Sequence, residues 1–166
     1  MATSENLKEA FAGESQANRK YLAFAKAAEQ EGYPQIARLF LAAAEGETIH
    51  AHSHLRVMGL VKTTKANLET AMQGEGLEFK QMYPKFIAEA DREGHKAASA
   101  SFKNAMAVEQ VHYSLYNTAL ESLKHGKDLH EGDFFVCSVC GNAFFNDVPD
   151  KCPVCGAPRE KINKIV

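Results

Sequence analysis

The chain has 166 residues with 19 basic against 21 acidic side chains, a formal charge of −2, so it has room for one full core plus a small appendage and no electrostatic claim on nucleic acid or an anionic membrane. Hydrophobic residues make up 45%, yet no apolar run approaches the roughly 18 residues of a membrane span. The start, Met1-Ala2-Thr3-Ser4-Glu5-Asn6, is polar and acidic where a secretory signal is basic and then apolar, so a cytoplasmic protein is expected.

Residues 3 to about 124 are rich in Ala, Glu, Lys, Leu, Gln and Met, which lose little side-chain entropy in helices, and this part reads all-α. Thr3 or Ser4 can cap a first helix that ends at Glu31-Gly32-Tyr33, and Pro34 suits the first turn of a second, which runs to about Gly59. Residues 61–65 form a polar connection long enough to cross a bundle. A third helix runs from about Asn67 to Glu93; Pro84 inside it removes the bond to the Lys80 carbonyl and predicts a kink. After Gly94 a fourth helix continues to about Lys124, and His125-Gly126-Lys127-Asp128 opens a linker. Helices of roughly 25 residues, roughly 37 Å long, suit a four-helix bundle. The expected domains are that bundle over residues 1–126 and a small metal-bound domain over 132–166.

The second helix carries Ile36, Phe40, Ala43, Glu47, His50, His54 and Val57 on one inward stripe. Adding 62 gives Ala98, Phe102, Ala105, Glu109, His112, Tyr116 and Ala119 on the fourth. An offset of 61 takes Gly13-Glu14 to Gly74-Glu75, and one of 62 takes Tyr21 and Phe24 to Tyr83 and Phe86. The helices are a duplicated pair.

Glu14, Glu47, Glu75, Glu78 and Glu109 all fall on inward stripes, where ionised carboxylates cost several kcal/mol each unless neutralised. Glu47-Thr48-Ile49-His50 and Glu109-Gln110-Val111-His112 each place a carboxylate and an imidazole one turn apart. With one Glu from each of the other two helices, this is the ligand set of di-iron and di-manganese carboxylate bundles. Glu78 breaks the symmetry, because Ala17 occupies its counterpart. His52 lies about 200° around the helix from His50 and reads as solvated, and His54 reads as a hydrogen-bonded neighbour of the site. Tyr21 and Tyr83, one or two turns from Glu14 and Glu78, are placed to donate to ligand carboxylates or simply to pack.

All four cysteines lie in two knuckles, Cys137-Ser138-Val139-Cys140-Gly141 and Cys152-Pro153-Val154-Cys155-Gly156. Each glycine permits a tight turn that aims backbone N–H groups at sulfur, so Cys137, Cys140, Cys152 and Cys155 make a tetrathiolate metal site. Iron and zinc both accept four thiolates. Phe134, Phe135, Phe144 and Phe145 can sheathe it, and so small a module depends on its metal to fold.

Over nearly its whole length, and in the same order, the chain resembles the rubrerythrin family: a ferritin-like di-iron bundle followed by a rubredoxin-like domain. The residues that carry the resemblance are Gly13-Glu14-Ser15-Gln16-Ala17 with Tyr21, Glu47-x-x-His50, Glu75-x-x-Glu78 before Met82-Tyr83-Pro84, Glu109-x-x-His112 and the two knuckles. The resemblance implies a mainly α fold and a non-haem di-iron peroxidase that reduces hydrogen peroxide to water, protects against oxidative stress and draws electrons through an Fe(Cys)4 centre. It implies that Glu47 and Glu109 bridge the irons, that Glu14 and Glu78 are terminal on one and Glu75 and His112 on the other, and that one iron moves between Glu78 when oxidised and His50 when reduced. Glu78, His50, Tyr21 and Tyr83 are then the catalytic candidates. The implied partners are rubredoxin or an NAD(P)H-linked reductase as electron donor and a second copy in a homodimer, in which the two metal centres communicate between subunits and helices can be exchanged near residues 61–65. Three readings compete: an iron-handling ferroxidase, which has no use for the cysteine module; a non-enzymatic scaffold with a structural zinc ribbon, which the five inward carboxylates oppose; and an oxidase whose acceptor is O2.

Overall fold

The computed structural model describes residues 2–165. They form two compact units, one up to Lys62 and one from Thr63 onward. Among the described residues no helix is long and apolar enough to cross a membrane.

The first unit is a hairpin of α1 (Ala2–Gln30) and α2 (Pro34–Val57), turned at Gly32, whose φ of 85° suits a residue without Cβ. Proline sits in the first turn of α2, as expected. The seam between the helices is made of Ala25, Ala28, Ala37, Ala44 and Ala51, all buried. The last three recur every two turns, so they share one side of α2, and their small side chains let the helices approach closely. Asn18 clamps that seam: its Nδ2 donates to the Ala44 carbonyl at 2.7 Å and to Thr48 Oγ1 at 2.8 Å. Ile36, expected on the buried stripe, is 48% exposed. Two helices share only one seam, and it is filled by these alanines and by the Tyr21, Phe24 and Phe40 rings, which meet across it.

The second unit opens with α3 (Thr64–Leu77). It starts three residues before the expected Asn67, because the Thr63 hydroxyl accepts from the Ala66 N–H at 3.3 Å and caps it. The helical rod passes through a π-turn at Glu78–Met82, where the Tyr83 N–H bonds to the Glu78 carbonyl, and continues as α4 (Tyr83–Arg92). The irregularity expected at Pro84 is therefore a widened turn just ahead of it, with Pro84 in the first turn of α4. The π-turn also accounts for the repeat arithmetic. The offset is 61 at Glu75 and 62 at Tyr83, so the second copy holds one extra residue, and the wide turn absorbs it. On either side of it the copies agree: Tyr21–Phe24, Tyr21–Phe40 and Phe24–Phe40 ring centroids lie 6.3, 6.2 and 5.5 Å apart, and Tyr83–Phe86, Tyr83–Phe102 and Phe86–Phe102 lie 6.3, 6.2 and 5.6 Å apart.

The last long helix, α5 (Lys96–Lys124), is tied to α4 by Ser99, whose hydroxyl donates to Asp91 at 2.5 Å, with the Lys103 ammonium 3.2 Å away. Both contacts hold the Asp91 carboxyl below its usual range. A three-stranded antiparallel sheet follows, with β1 (Phe134–Cys137) between β2 (Ala143–Phe145) and β3 (Ile162–Lys164). Phe134 pairs with Phe145 and Phe135 with Phe144 in the β1–β2 register. Because neighbouring strand residues face opposite ways, only Phe135 and Phe144 pack against the buried cluster of Cys137, Cys152, Ala157 and Ile162. The Phe134 and Phe145 rings meet each other instead, tilted, with centroids 4.8 Å apart. The expected sheath of four phenylalanines is a sheath of two, completed by Val148 and Val154.

Gly76 is buried, and a Cβ there would lie 3.3 Å from the Tyr113 ring. That ring meets Phe79 of the π-turn edge-on at 5.5 Å and lies 4.7 Å from the Lys80 ammonium. Gly76→Leu is expected to destabilise the chain by about 1–3 kcal/mol through overpacking, although leucine is the better helix former. A denaturant melt with an unchanged or raised midpoint would show that Tyr113 can yield.

Candidate metal centres

Each unit gathers one half of the expected carboxylate set. In the first, Glu14 of α1 and Glu47 and His50 of α2 bring one donor atom each within 4.8 Å of one another. In the second, Glu75 of α3 and Glu109 and His112 of α5 do the same. The distances repeat as the sequence does. His50 Nδ1 lies 2.9 Å from Glu47 Oε2 and 4.0 Å from Glu14 Oε1; His112 Nδ1 lies 2.8 Å from Glu109 Oε2 and 3.9 Å from Glu75 Oε1. The inward carboxylates are half-buried, from 18% exposed at Glu109 to 31% at Glu14.

The spacing explains these triads. Glu and His three apart on one helix point the same way, and the third donor comes from the helix across the seam. The Asn18 clamp fixes this relation in the first unit, since Asn18 is one turn beyond Glu14 and Thr48 follows Glu47. The second unit has Phe79 and Tyr113 in edge-on contact instead. Neither Asn18 nor Thr48 is evident as a site residue from composition, but Asn18 stands four residues after a ligand on the same helix face.

Glu78 opens the π-turn and is half-buried. Burial and the nearby Glu109 charge raise its pKa, and its own charge is felt at Glu75. Tyr83 faces the same carboxylates: burial and then Glu78, Glu109 and Glu75 push its phenol above the ordinary value, so it stays protonated at neutral pH. Tyr116 behaves likewise, raised by burial, Glu75 and Glu109. Sequence reasoning left Tyr116 without a role, although it stands one turn beyond His112 on the same stripe. Tyr21 is half-buried and packs against Phe24 and Phe40. His52 is exposed, as expected, and His54 is half-buried.

In the cysteine module the two knuckles have the same backbone bonding. Gly141 N–H donates to the Cys137 carbonyl and Gly156 N–H to the Cys152 carbonyl, each at 2.8 Å, with positive φ at both glycines. Cys137 Sγ lies 3.7 Å from Cys155 Sγ, Cys140 Sγ lies 3.6 Å from Cys152 Sγ, and all four cysteines are free. A tetrahedral ion about 2.3 Å from each sulfur sets sulfurs about 3.8 Å apart, so the cage fits a metal. Burial pushes the Cys137 thiol up, but N–H groups of Cys140 and Val139 and the neighbouring thiols outweigh it and bring it to about 7. Burial raises Cys140 and Cys155. The donor chemistry of the helical triads also fits cations. Burial, a hydrogen bond with Glu109 and the Glu109 charge raise Glu75 to about 7, a strain on the metal-free chain that a divalent ion relieves.

Two measurements follow from this chemistry. A carboxyl with a folded pKa of about 7 and an ordinary value of 4.5 binds more protons in the folded state between those limits, so the metal-free chain should lose stability as pH rises from about 4.5 to 7. Glu75→Gln should flatten that slope in thermal melts, and an unchanged slope would exclude Glu75 as its origin. Withdrawing metal from the full chain with a chelator should abolish the ordered signals of residues 134–164 while leaving the helical circular dichroism nearly intact.

Known proteins share this arrangement. The family model for rubrerythrin matches residues 5–120, and that for the rubrerythrin rubredoxin-like domain matches residues 135–163. Rubrerythrin-2 of Clostridium acetobutylicum is 35% identical over 96% of this chain and 94% of its own. Nigerythrin of Nitratidesulfovibrio vulgaris is 38% identical over 96% and 84%. Nigerythrin structures in partially reduced and all-ferrous states are similar with TM-scores of 0.59, 34% identity, and coverage of 98% of this chain and 86% of theirs. The mainly α class, four long helices ahead of a small rubredoxin-like domain, is theirs too. With a di-iron ligand set on its helices and a four-cysteine site at its end, the chain belongs to the rubrerythrin family of oxidoreductase-type di-iron proteins.

Proposed function

We propose that this chain is a peroxidase that reduces hydrogen peroxide to water and so protects against oxidative stress. One observation carries the reading: two metal-binding triads of matching geometry occur in one chain with a tetrathiolate cage. An iron store or ferroxidase needs only the triads. The functional domains are read as residues 1–126 and 132–166, in the cytoplasm, where reducing conditions keep the four cysteines free.

A pair of ferrous ions supplies the two electrons needed to turn one peroxide and two protons into two waters. Glu14, Glu47, Glu75, Glu78, Glu109 and His112 would hold the pair when oxidised, Glu47 and Glu109 serving both ions, and His50 would take the place of Glu78 on reduction. Glu78 suits this exchange because it sits on a π-turn, whose wider pitch fixes its carboxylate less firmly than an α-turn does. The Tyr83 hydroxyl, kept protonated, would donate toward the carboxylates or the peroxide substrate, and Tyr21 would have the same role beside Glu14. Cys137, Cys140, Cys152 and Cys155 would hold an iron able to relay electrons received from rubredoxin or an NAD(P)H-linked reductase. Chains act as homodimers, and residues 61–65 are where helix pairs would be exchanged.

The test begins with iron-loaded protein reduced without air, one half mixed with hydrogen peroxide and the other with O2, following the colour of the ferric tetrathiolate. Fast return with peroxide and slow return with O2 is expected; the reverse order would make the protein an oxidase or ferroxidase. Tyr83→Phe keeps the aromatic triad and should slow the peroxide-driven return by about 10–100-fold. An unchanged rate would reduce Tyr83 to packing.

A further inference from the structure

The two copies of the helix pair differ in what fills the seam beside Glu78. An offset of 62 carries Tyr113 of α5 onto Ala51 of α2, which is buried in the alanine seam, and an offset of 61 carries Gly76 onto Ser15 and Phe79 onto Asn18. Where the first copy sets an alanine against a serine and an asparagine, the second sets a ring against a glycine and a phenylalanine. A Cβ on Gly76 would stand 3.3 Å from the Tyr113 ring, Phe79 meets that ring edge-on with centroids 5.5 Å apart, and the Lys80 ammonium lies 4.7 Å from its centroid.

These contacts bracket Glu78. Gly76 stands two residues before it, Phe79 and Lys80 follow it, and all three lean on one side chain of the facing helix. Between them the backbone leaves α geometry, since the Tyr83 N–H bonds to the Glu78 carbonyl five residues back. Such turns are rare. This one takes up an extra residue between two anchored flanks, Glu75 in its triad and Tyr83 in its aromatic cluster. Lys80 and Gln81 are exposed while Phe79 is half-buried, so α5 grips the turn on its Phe79 side. Ring–ring and cation–ring contacts have preferred geometries, and together they restrict how the Tyr113 ring sits. The backbone so held sets the direction of the Glu78 side chain, whose carboxyl feels the charge of Glu109, one turn before Tyr113 on α5. His112, next to Tyr113, is held separately: its Nδ1 lies 2.8 Å from Glu109, and its Nε2 lies 3.3 Å from the Gly141 carbonyl.

We propose that Tyr113 is the positioning residue of Glu78: its ring, seated on Gly76 and clasped by Phe79 and Lys80, keeps the π-turn in the shape that turns Glu78 toward the second triad. The assignment rests on the reading of Glu78 as a ligand of the oxidised iron pair, and not on which oxidant the pair reduces. With the turn fixed, the carboxylate approaches or leaves a metal by rotation of its own side chain, and the helix need not move.

Two measurements test it, and neither uses peroxide. The first is amide hydrogen exchange in the full chain loaded with zinc. Tyr113→Leu should speed exchange of the Tyr83 amide, the donor of the π-turn, by about 10-fold relative to the Ala90 amide of α4, and Tyr113→Phe, which keeps the ring, should restore it. Equal exchange in wild type and Tyr113→Leu would overturn the proposal. The second is the reduction midpoint of the helical iron pair. An anionic ligand favours ferric over ferrous ion, so misplacing Glu78 should raise the midpoint, by about 59 mV for each tenfold loss of that preference. Tyr113→Leu and Glu78→Ala should each raise it, Tyr113→Phe should leave it in place, and Tyr113→Leu added to Glu78→Ala should raise it no further. A shift that persists in the Glu78→Ala background would assign the effect to His112 or to general packing and overturn the proposal; a Glu78→Ala midpoint equal to wild type would overturn it together with the ligand role of Glu78. If Tyr113→Leu does not fold, Phe79→Leu removes the same ring contact from the other side and should shift both readings in the same direction. A chain that passes both tests but prefers O2 to peroxide loses the peroxidase reading and keeps this one.

Discussion

Polar, metal-ligating side chains crowded within a few ångströms of one another govern this molecule. Two glutamates and a histidine converge in each helical unit, and four thiols converge in the small domain. Apolar burial alone would disperse such groups to the surface, so the rest of the chain must hold them together against the cost of desolvating them. In the first unit this falls to a tight alanine seam, the Asn18–Thr48 clamp and an aromatic triad. In the second it falls to the triad's counterpart, the Asp91–Ser99 tie and the Phe79–Tyr113 contact. A bound cation offsets that cost, and in the small domain, which depends on its metal to fold, ligand binding and folding are one problem.

The two copies of the helix pair answer that problem with the same ligands and different supports. Aromatic packing and ligand spacing are shared. The polar clamp belongs to the first copy, and the π-turn, Glu78 and the contact with the knuckle belong to the second. The second copy thus holds one histidine by both ring nitrogens and offers one more carboxylate, while the first leaves its histidine largely in the open. A cation held by the first triad would therefore sit beside a more exposed histidine than one held by the second.

Much of this was legible in the residues. Pro34, Gly32 and Gly94 marked helix ends because their backbone preferences are local, and the triads followed from a three-residue spacing that forces Glu and His onto one face. The knuckles were equally plain, since Cys-x-x-Cys-Gly encodes its own turn. Other features depended on more distant partners. Ile36 matched the inward stripe, but periodicity identifies an apolar face and not the seam that covers it, and alanines occupied that seam. The alternation of strand faces separated Phe135 and Phe144 from Phe134 and Phe145 once the register was known. Helix propensity does not distinguish a five-residue turn from a four-residue one; the change of offset between Glu75 and Tyr83 did record it. The bond from His112 to Gly141 joins a side chain to a main-chain oxygen 29 residues away, which no residue type announces.

If the copies descend from one ancestral helix pair, the π-turn bears on how they came to differ. Substitutions alone would have kept them in register, and any of them could be undone by another substitution. The extra residue is instead an inserted or deleted codon, an event that no point mutation reverses, and misaligned exchange between the copies would carry the turn whole or not at all. The inequality of the two halves is thus written into the gene as a length, and point substitutions can retune the residues around Glu78 without restoring the register of the copies.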